Sequence, residues 1–148
     1  MKKYPQAKTI FHILIFIFGI NFIWEISQMF LYAKHTTSIL NFIFVHIKAT
    51  FGDALIFTFI YLFGTVIFCS KYWFINKGYL KYFFAAIRGF AIAITIEKYA
   101  LATSRWQYDN LMLIIPFFKV GLSPILQMIF LPITTIFFLQ KMYIKKTT

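Results

Sequence analysis

Acid is scarce in this sequence. Four carboxylates, Glu25, Asp53, Glu97 and Asp109, stand against fifteen Lys and Arg in 148 residues, for a net charge of +11. Cysteine is rarer still. Cys69 stands alone, which excludes an internal disulfide and a CxxC metal or redox motif. The three histidines form no HxxxH pair, and neither a GxSxG elbow nor a phosphate-binding glycine loop is present. Charged residues make up only 13% of the chain, about half the share of a soluble domain. No repeat, low-complexity stretch or compositional break separates a second domain.

What is abundant is apolar surface: 61% of residues are hydrophobic and 22% aromatic. A chain this short cannot bury so much in a water-soluble core, so lipid must solvate much of it. In a soluble protein the strong positive charge would suggest nucleic acid. Here the basic residues flank apolar runs, as they do at membrane edges, and nothing reads as a nucleic-acid surface. Four runs, 9–33, 50–70, 81–102 and 121–141, reach the roughly 20 residues needed to span a bilayer. The first is too long for the apolar part of a signal peptide. Segment 36–47 is too short to span and reads as an interfacial or re-entrant helix. The fold class that follows is all-α: a polytopic integral membrane protein, residues 1–148, with four transmembrane helices in one bundle plus a short interfacial helix between the first two.

Lysine and arginine counts orient the chain. Lys2, Lys3, Lys8, Lys71, Lys77, Lys81, Lys141, Lys145 and Lys146 fall on one side; Lys34, Lys48, Arg105 and Lys119 fall on the other. Nine against four places both termini in the cytoplasm. Arg88 and Lys98 lie within the third span, where snorkelling or pairing with a loop acid suits Lys98 better than catalysis.

On that topology Glu25, Asp53 and Glu97 share a thin layer within about 10 Å of the outer ends of three helices, and Asp109 sits in the loop above. Asn21, Glu25, Gln28 and Tyr32 follow helical spacing as one polar stripe. Ala86, Gly89, Ala93, Glu97 and Ala100 form a small-residue face that turns Glu97 inward. An intramembrane acid is costly and marks a functional site by default. Glu25, Glu97 and Asp53 are therefore the candidate catalytic groups, able to act as proton donor and acceptor if their environments differ. Trp24, Gln28, Tyr32, Arg105, Trp106, Tyr108 and Gln127 are the candidate ligand-binding residues. Plainer readings stand beside these. Gln28 and Gln127 suit interhelical hydrogen bonds, and Asp53, after Gly52, suits a helix cap. A metal held by His46 with Glu25, Asp53 or Glu97 has reasonable donors, but no spacing selects it and no metal site is assigned.

Four segments are familiar together: Trp24-Glu25-x-x-Gln28 with Tyr32; Gly52-Asp53; Glu97-x-x-Ala100-Leu101-Ala102-Thr103-x-Arg105-Trp106-x-Tyr108; and Gly121-Leu122-x-Pro124-x-x-Gln127. The chain resembles a family of small, uncharacterised four-span bacterial inner-membrane proteins. It departs from their pattern at Leu113, where Met112 would be followed by proline. The resemblance implies the fold and carries no activity. A looser likeness to small carotenoid-cyclase subunits rests on architecture and membrane acids alone.

The leading expectation is thus an outward-facing, carboxylate-lined pocket that binds or transforms a small apolar or lipid-like molecule by acid/base chemistry. Proton or cation transport through the same acids, or a structural role in a membrane complex, are the alternatives. The expected surroundings are the lipid bilayer and either further copies of the chain or a membrane-protein partner. The sequence points to no cofactor.

Overall fold

The computed structural model describes residues 7–33, 38–76 and 78–144. Four long helices dominate: α1 (Ala7–Gln28), α2 (Ile39–Ile67), α3 (Tyr79–Ala102) and α4 (Leu122–Ile144). Each is long and apolar enough to cross a membrane. Their outward surface is a coat of Leu, Ile and Phe, including Ile23, Leu40, Phe59, Val66, Phe83 and Phe137, all exposed. Such a surface is stable only where lipid replaces water. The chain is a multi-pass membrane protein.

Successive helices run in opposite directions. α3 packs most extensively on α4, and α1 packs on α2 and α4; a sparser α2–α3 contact closes the ring. The upper end of the bundle carries the α1–α2 and α3–α4 connections. The lower end carries the α2–α3 connection. Lys2, Lys3, Lys34, Lys77, Lys145 and Lys146, which contribute to the orientation count, lie outside the described residues.

The α3–α4 contact has a clear local cause. Ala85, Gly89, Ala93, Glu97 and Ala100 form one buried stripe on α3, with Ala85 in place of the expected Ala86. A Cβ on Gly89 would fall on the carbonyl oxygen of Met128. That carbonyl is itself unusual. Its helical donor would be the amide of residue 132, which is Pro132 inside α4 and has no N–H. Glycine on one helix and proline on the other thus meet at one point, and the Gly89 Cα hydrogens face an acceptor freed from its own helix.

The expected interfacial helix is a correction. Residues 39–47 are the first turns of α2, which continues unbroken for 29 residues; residues 36 and 37 lie outside the described range. No glycine or proline intervenes between Ser38 and Gly52, so nothing stops the helix. At 1.5 Å per residue α2 is about 43 Å long, more than the roughly 30 Å hydrocarbon core requires.

The lower end is sealed by Trp73. Its ring packs against Gly64, where a Cβ would collide with it. It also stacks on Phe68 at 5.2 Å and meets Phe84 edge-on at 5.6 Å. Its indole N–H donates to the Tyr61 carbonyl at 3.0 Å. Gln140 of α4 ties this end together, accepting from the Tyr82 hydroxyl and donating to the Asn76 carbonyl.

Candidate functional site

The α3–α4 connection folds back over the upper end and makes the roof of the site. Two short strands, β1 (Ile114–Ile115) and β2 (Val120–Gly121), pair antiparallel with Ile115 opposite Val120. Lys119 takes a left-handed backbone conformation at φ 57°, and its amide closes the turn onto the Ile115 carbonyl at 2.8 Å. Ahead of this hairpin, Gln107 to Asp109 lies beside the end of α1. Ala33 donates to the Gln107 carbonyl and Asp109 to the Leu31 carbonyl, each at 2.9 Å. This bridge fixes Trp106 and Tyr108 over the helix ends.

Beneath the roof, polar side chains from all four helices converge. Gln28 donates to Glu25 at 2.8 Å and to Gln127 at 3.1 Å. Its carbonyl oxygen accepts from Trp24 at 3.2 Å and from Ser123 at 2.7 Å. Gln127 in turn donates to Asp53 at 2.7 Å and to Asn21 at 3.3 Å. Both amide hydrogens of both glutamines are therefore used, which fixes the orientation of each amide. Asp53 is thereby linked to Glu25 through Gln127 and Gln28.

Glu97 forms the second part of the cluster. It is buried on the α3 stripe and accepts from the Trp106 indole at 3.3 Å and from the Tyr108 hydroxyl. The Tyr108 oxygen accepts the Gly121 amide at 2.8 Å, so β2 positions the phenol that holds Glu97. Tyr32 lies between the two parts, edge-on to Trp106 at 6.3 Å and tilted against Tyr108 at 5.7 Å. Burial raises its hydroxyl pKa first, and the nearby charges of Glu97, Glu25 and Asp53 raise it further. Tyr108 is likewise raised, chiefly by burial and then by its bond to Glu97. Both phenols stay protonated through the physiological range, and Tyr108 serves as a donor to Glu97.

The structure thus brings together nine of the ten residues singled out from sequence: Trp24, Glu25, Gln28, Tyr32, Asp53, Glu97, Trp106, Tyr108 and Gln127. Arg105 is left out. It is exposed at the surface, with its guanidinium over the Tyr99 ring at 5.1 Å. Asn21 and Ser123 belong to the network, and each sits at helical spacing from a residue that was singled out. His46 is the further member. It is buried on α2 beside Phe42, its Nδ1 lies 3.8 Å from Glu25 Oε2, and that nitrogen has no hydrogen-bond partner. Among the described residues no three His, Cys, Asp or Glu side chains converge in a way that could hold a metal ion.

This arrangement can hold, give and accept protons at carboxyl oxygens in a site walled by Trp24, Tyr32 and Trp106. Comparison of the chain with protein-family models, curated proteins and solved structures finds no match. Its own residues are therefore the whole basis of a functional reading.

Proposed function

We propose that the upper cluster binds a small apolar or lipid-like molecule and exchanges a proton with it, and that this end faces away from the cytoplasm. The observation that carries the reading is the hydrogen-bonded path from Glu25 through Gln28 and Gln127 to Asp53, next to a histidine nitrogen that lacks a partner. A cluster needed only to glue helices together would leave no such nitrogen orphaned, because an unmet buried polar atom costs about 1–3 kcal/mol. Glu25 is the exchanging group. Its side chain retains 13% exposure, and its Oε2 faces the orphan nitrogen. Asp53 is the neighbouring acid, linked to it through the two glutamines. Gln28 and Gln127 hold the two acids in place. Glu97, fixed by Tyr108 and Trp106, is the second acid/base group.

Native mass spectrometry of the detergent-purified chain, with elemental analysis of the same sample, tests this. The expected result is a bound organic mass that is retained by the wild type and lost in Glu25→Gln and Glu97→Gln. Identical ligand content in the wild type and both variants overturns the reading. A stoichiometric metal lost in Glu25→Gln would replace it with metal binding.

A further inference from the structure

The β1–β2 hairpin has two apolar faces. On the inner face Ile115, Phe118 and Val120 cluster with Phe90, Ala93 and Ile94 of α3, and Phe118 meets Phe90 edge-on at 5.5 Å. On the outer face Leu113, Ile114 and Phe117 are exposed, Phe117 to 86%. A contiguous apolar patch of this kind marks an interaction surface.

α3 gives the depth of the hairpin. Tyr79 and Tyr99 are both exposed on α3, and their spacing along the helix is about 30 Å. That is the thickness of a hydrocarbon core, and tyrosine favours its two edges. Lys98 is exposed beside Tyr99, and the Arg105 guanidinium lies over the Tyr99 ring at 5.1 Å, so the upper edge also carries cations. On this scale Ala93 lies about 9 Å below the upper edge and Phe90 about 13 Å below it. The hairpin packed on them therefore occupies the upper part of the core, although it belongs to the connection between two upper helix ends.

Its backbone suits that position. Non-helical chain is tolerated at membrane depth only where its polar groups are paired or packed on protein. The two strands pair with each other, and the Lys119 and Leu122 amides donate to the Ile115 and Leu113 carbonyls, each at 2.8 Å. Pro116 has no amide hydrogen to satisfy. Lys119 is exposed at the turn, on a stem long enough to carry its charge toward the headgroups.

We propose that the hairpin is a re-entrant anchor, its outer face of Leu113, Ile114 and Phe117 seated among the acyl chains of upper-leaflet phospholipids. The face continues the lipid-facing coat of the helices at a depth where lipid is the solvent, and this continuity selects acyl chains over a protein partner. The proposal does not depend on what the acid cluster binds. Phe117→Cys in a Cys69→Ala background, labelled with a polarity-sensitive fluorophore and reconstituted in phosphatidylcholine–phosphatidylglycerol liposomes, tests it. Ile23→Cys on the lipid-facing side of α1 and Asn110→Cys in the connection above serve as the buried and aqueous standards. The label at position 117 is expected to match that at position 23: emission shifted to the blue, quenched by a nitroxide on the lipid acyl chain, and spared by iodide present on both sides of the bilayer. The label at position 110 is expected to show the reverse. Quenching of the position 117 label by iodide and not by the lipid nitroxide overturns the proposal, because the hairpin then stands in water. Protection from both quenchers also overturns it, and assigns the face to a second copy or another polypeptide.

Discussion

The Tyr108 hydroxyl does two things at once: it donates to Glu97 and accepts the Gly121 amide. Tyr108→Phe removes both bonds while keeping the ring against Tyr32. The expected cost is about 1–2 kcal/mol, because Glu97 keeps its bond from Trp106 but the Gly121 amide loses its partner. Thermal unfolding in detergent measures it. The same two phenols set a pH dependence. Tyr32 and Tyr108 titrate above the ordinary tyrosine value of 10.0 in the folded chain. Their contribution to stability is fully present below pH 10 and is lost as pH rises through their folded values, because the unfolded chain gives up those protons first. Stability in detergent should hold between pH 7 and about 9.5 and fall above pH 10. The fall should be shallower in Tyr32→Phe and Tyr108→Phe; an unchanged slope would mean that neither phenol is held protonated. At this scale the sequence was informative wherever helical spacing applied: Glu25 and Gln28 share a stripe that the fold uses as drawn. Arg105 was misplaced because it lies past the end of α3, where no periodicity fixes the side chain. The shared layer of Glu25 and Asp53 was legible, but the path between them through Gln28 and Gln127 was not, because it depends on helix rotations that the sequence does not give.

The element that most constrains the bundle is the crossing of α3 and α4. Gly89 is fixed by the Met128 carbonyl and not by any need for glycine backbone freedom, since it lies within a regular helix. Gly89→Ala would push the two helices apart, at an expected cost of about 1–3 kcal/mol, and Gly89→Leu would cost more. Ala91→Leu, two residues on and facing outward, should be nearly neutral. Melting temperatures in detergent distinguish these outcomes; equal losses at positions 89 and 91 would show that helix propensity and not close approach is at work. The small-residue stripe was legible because its spacing is regular. The start of α2 was not, because Lys48 reads as a membrane boundary. In the structure it is an exposed side chain on a continuous helix, and a long cation at a helix surface can reach the headgroups without ending the helix. The β1–β2 hairpin could not be foreseen either. Strands of two residues carry no alternation to read, and this pair exists because the roof is pinned by Tyr108 and Leu31.

Across the whole molecule, the two ends differ in chemistry. The upper end concentrates three acids under an aromatic roof, while the lower end holds the Trp73 plug and the Gln140 ties. Four antiparallel spans place the α2–α3 connection on the same side as the start of α1 and the end of α4, so a single orientation decides where every feature faces. The excess of lysine on the lower side favours the proposed orientation, with the lower end in the cytoplasm. Cys69 provides the probe. It is exposed and free in the α2–α3 connection, while Asn110 is exposed in the α3–α4 connection. In intact spheroplasts a membrane-impermeant maleimide should leave Cys69 unlabelled and should label Asn110→Cys in a Cys69→Ala background; inverted vesicles should give the opposite pattern. Labelling of Cys69 in intact spheroplasts would turn the molecule over. The acid cluster would then face the cytoplasm, and its proposed ligand would reach it from that side of the membrane.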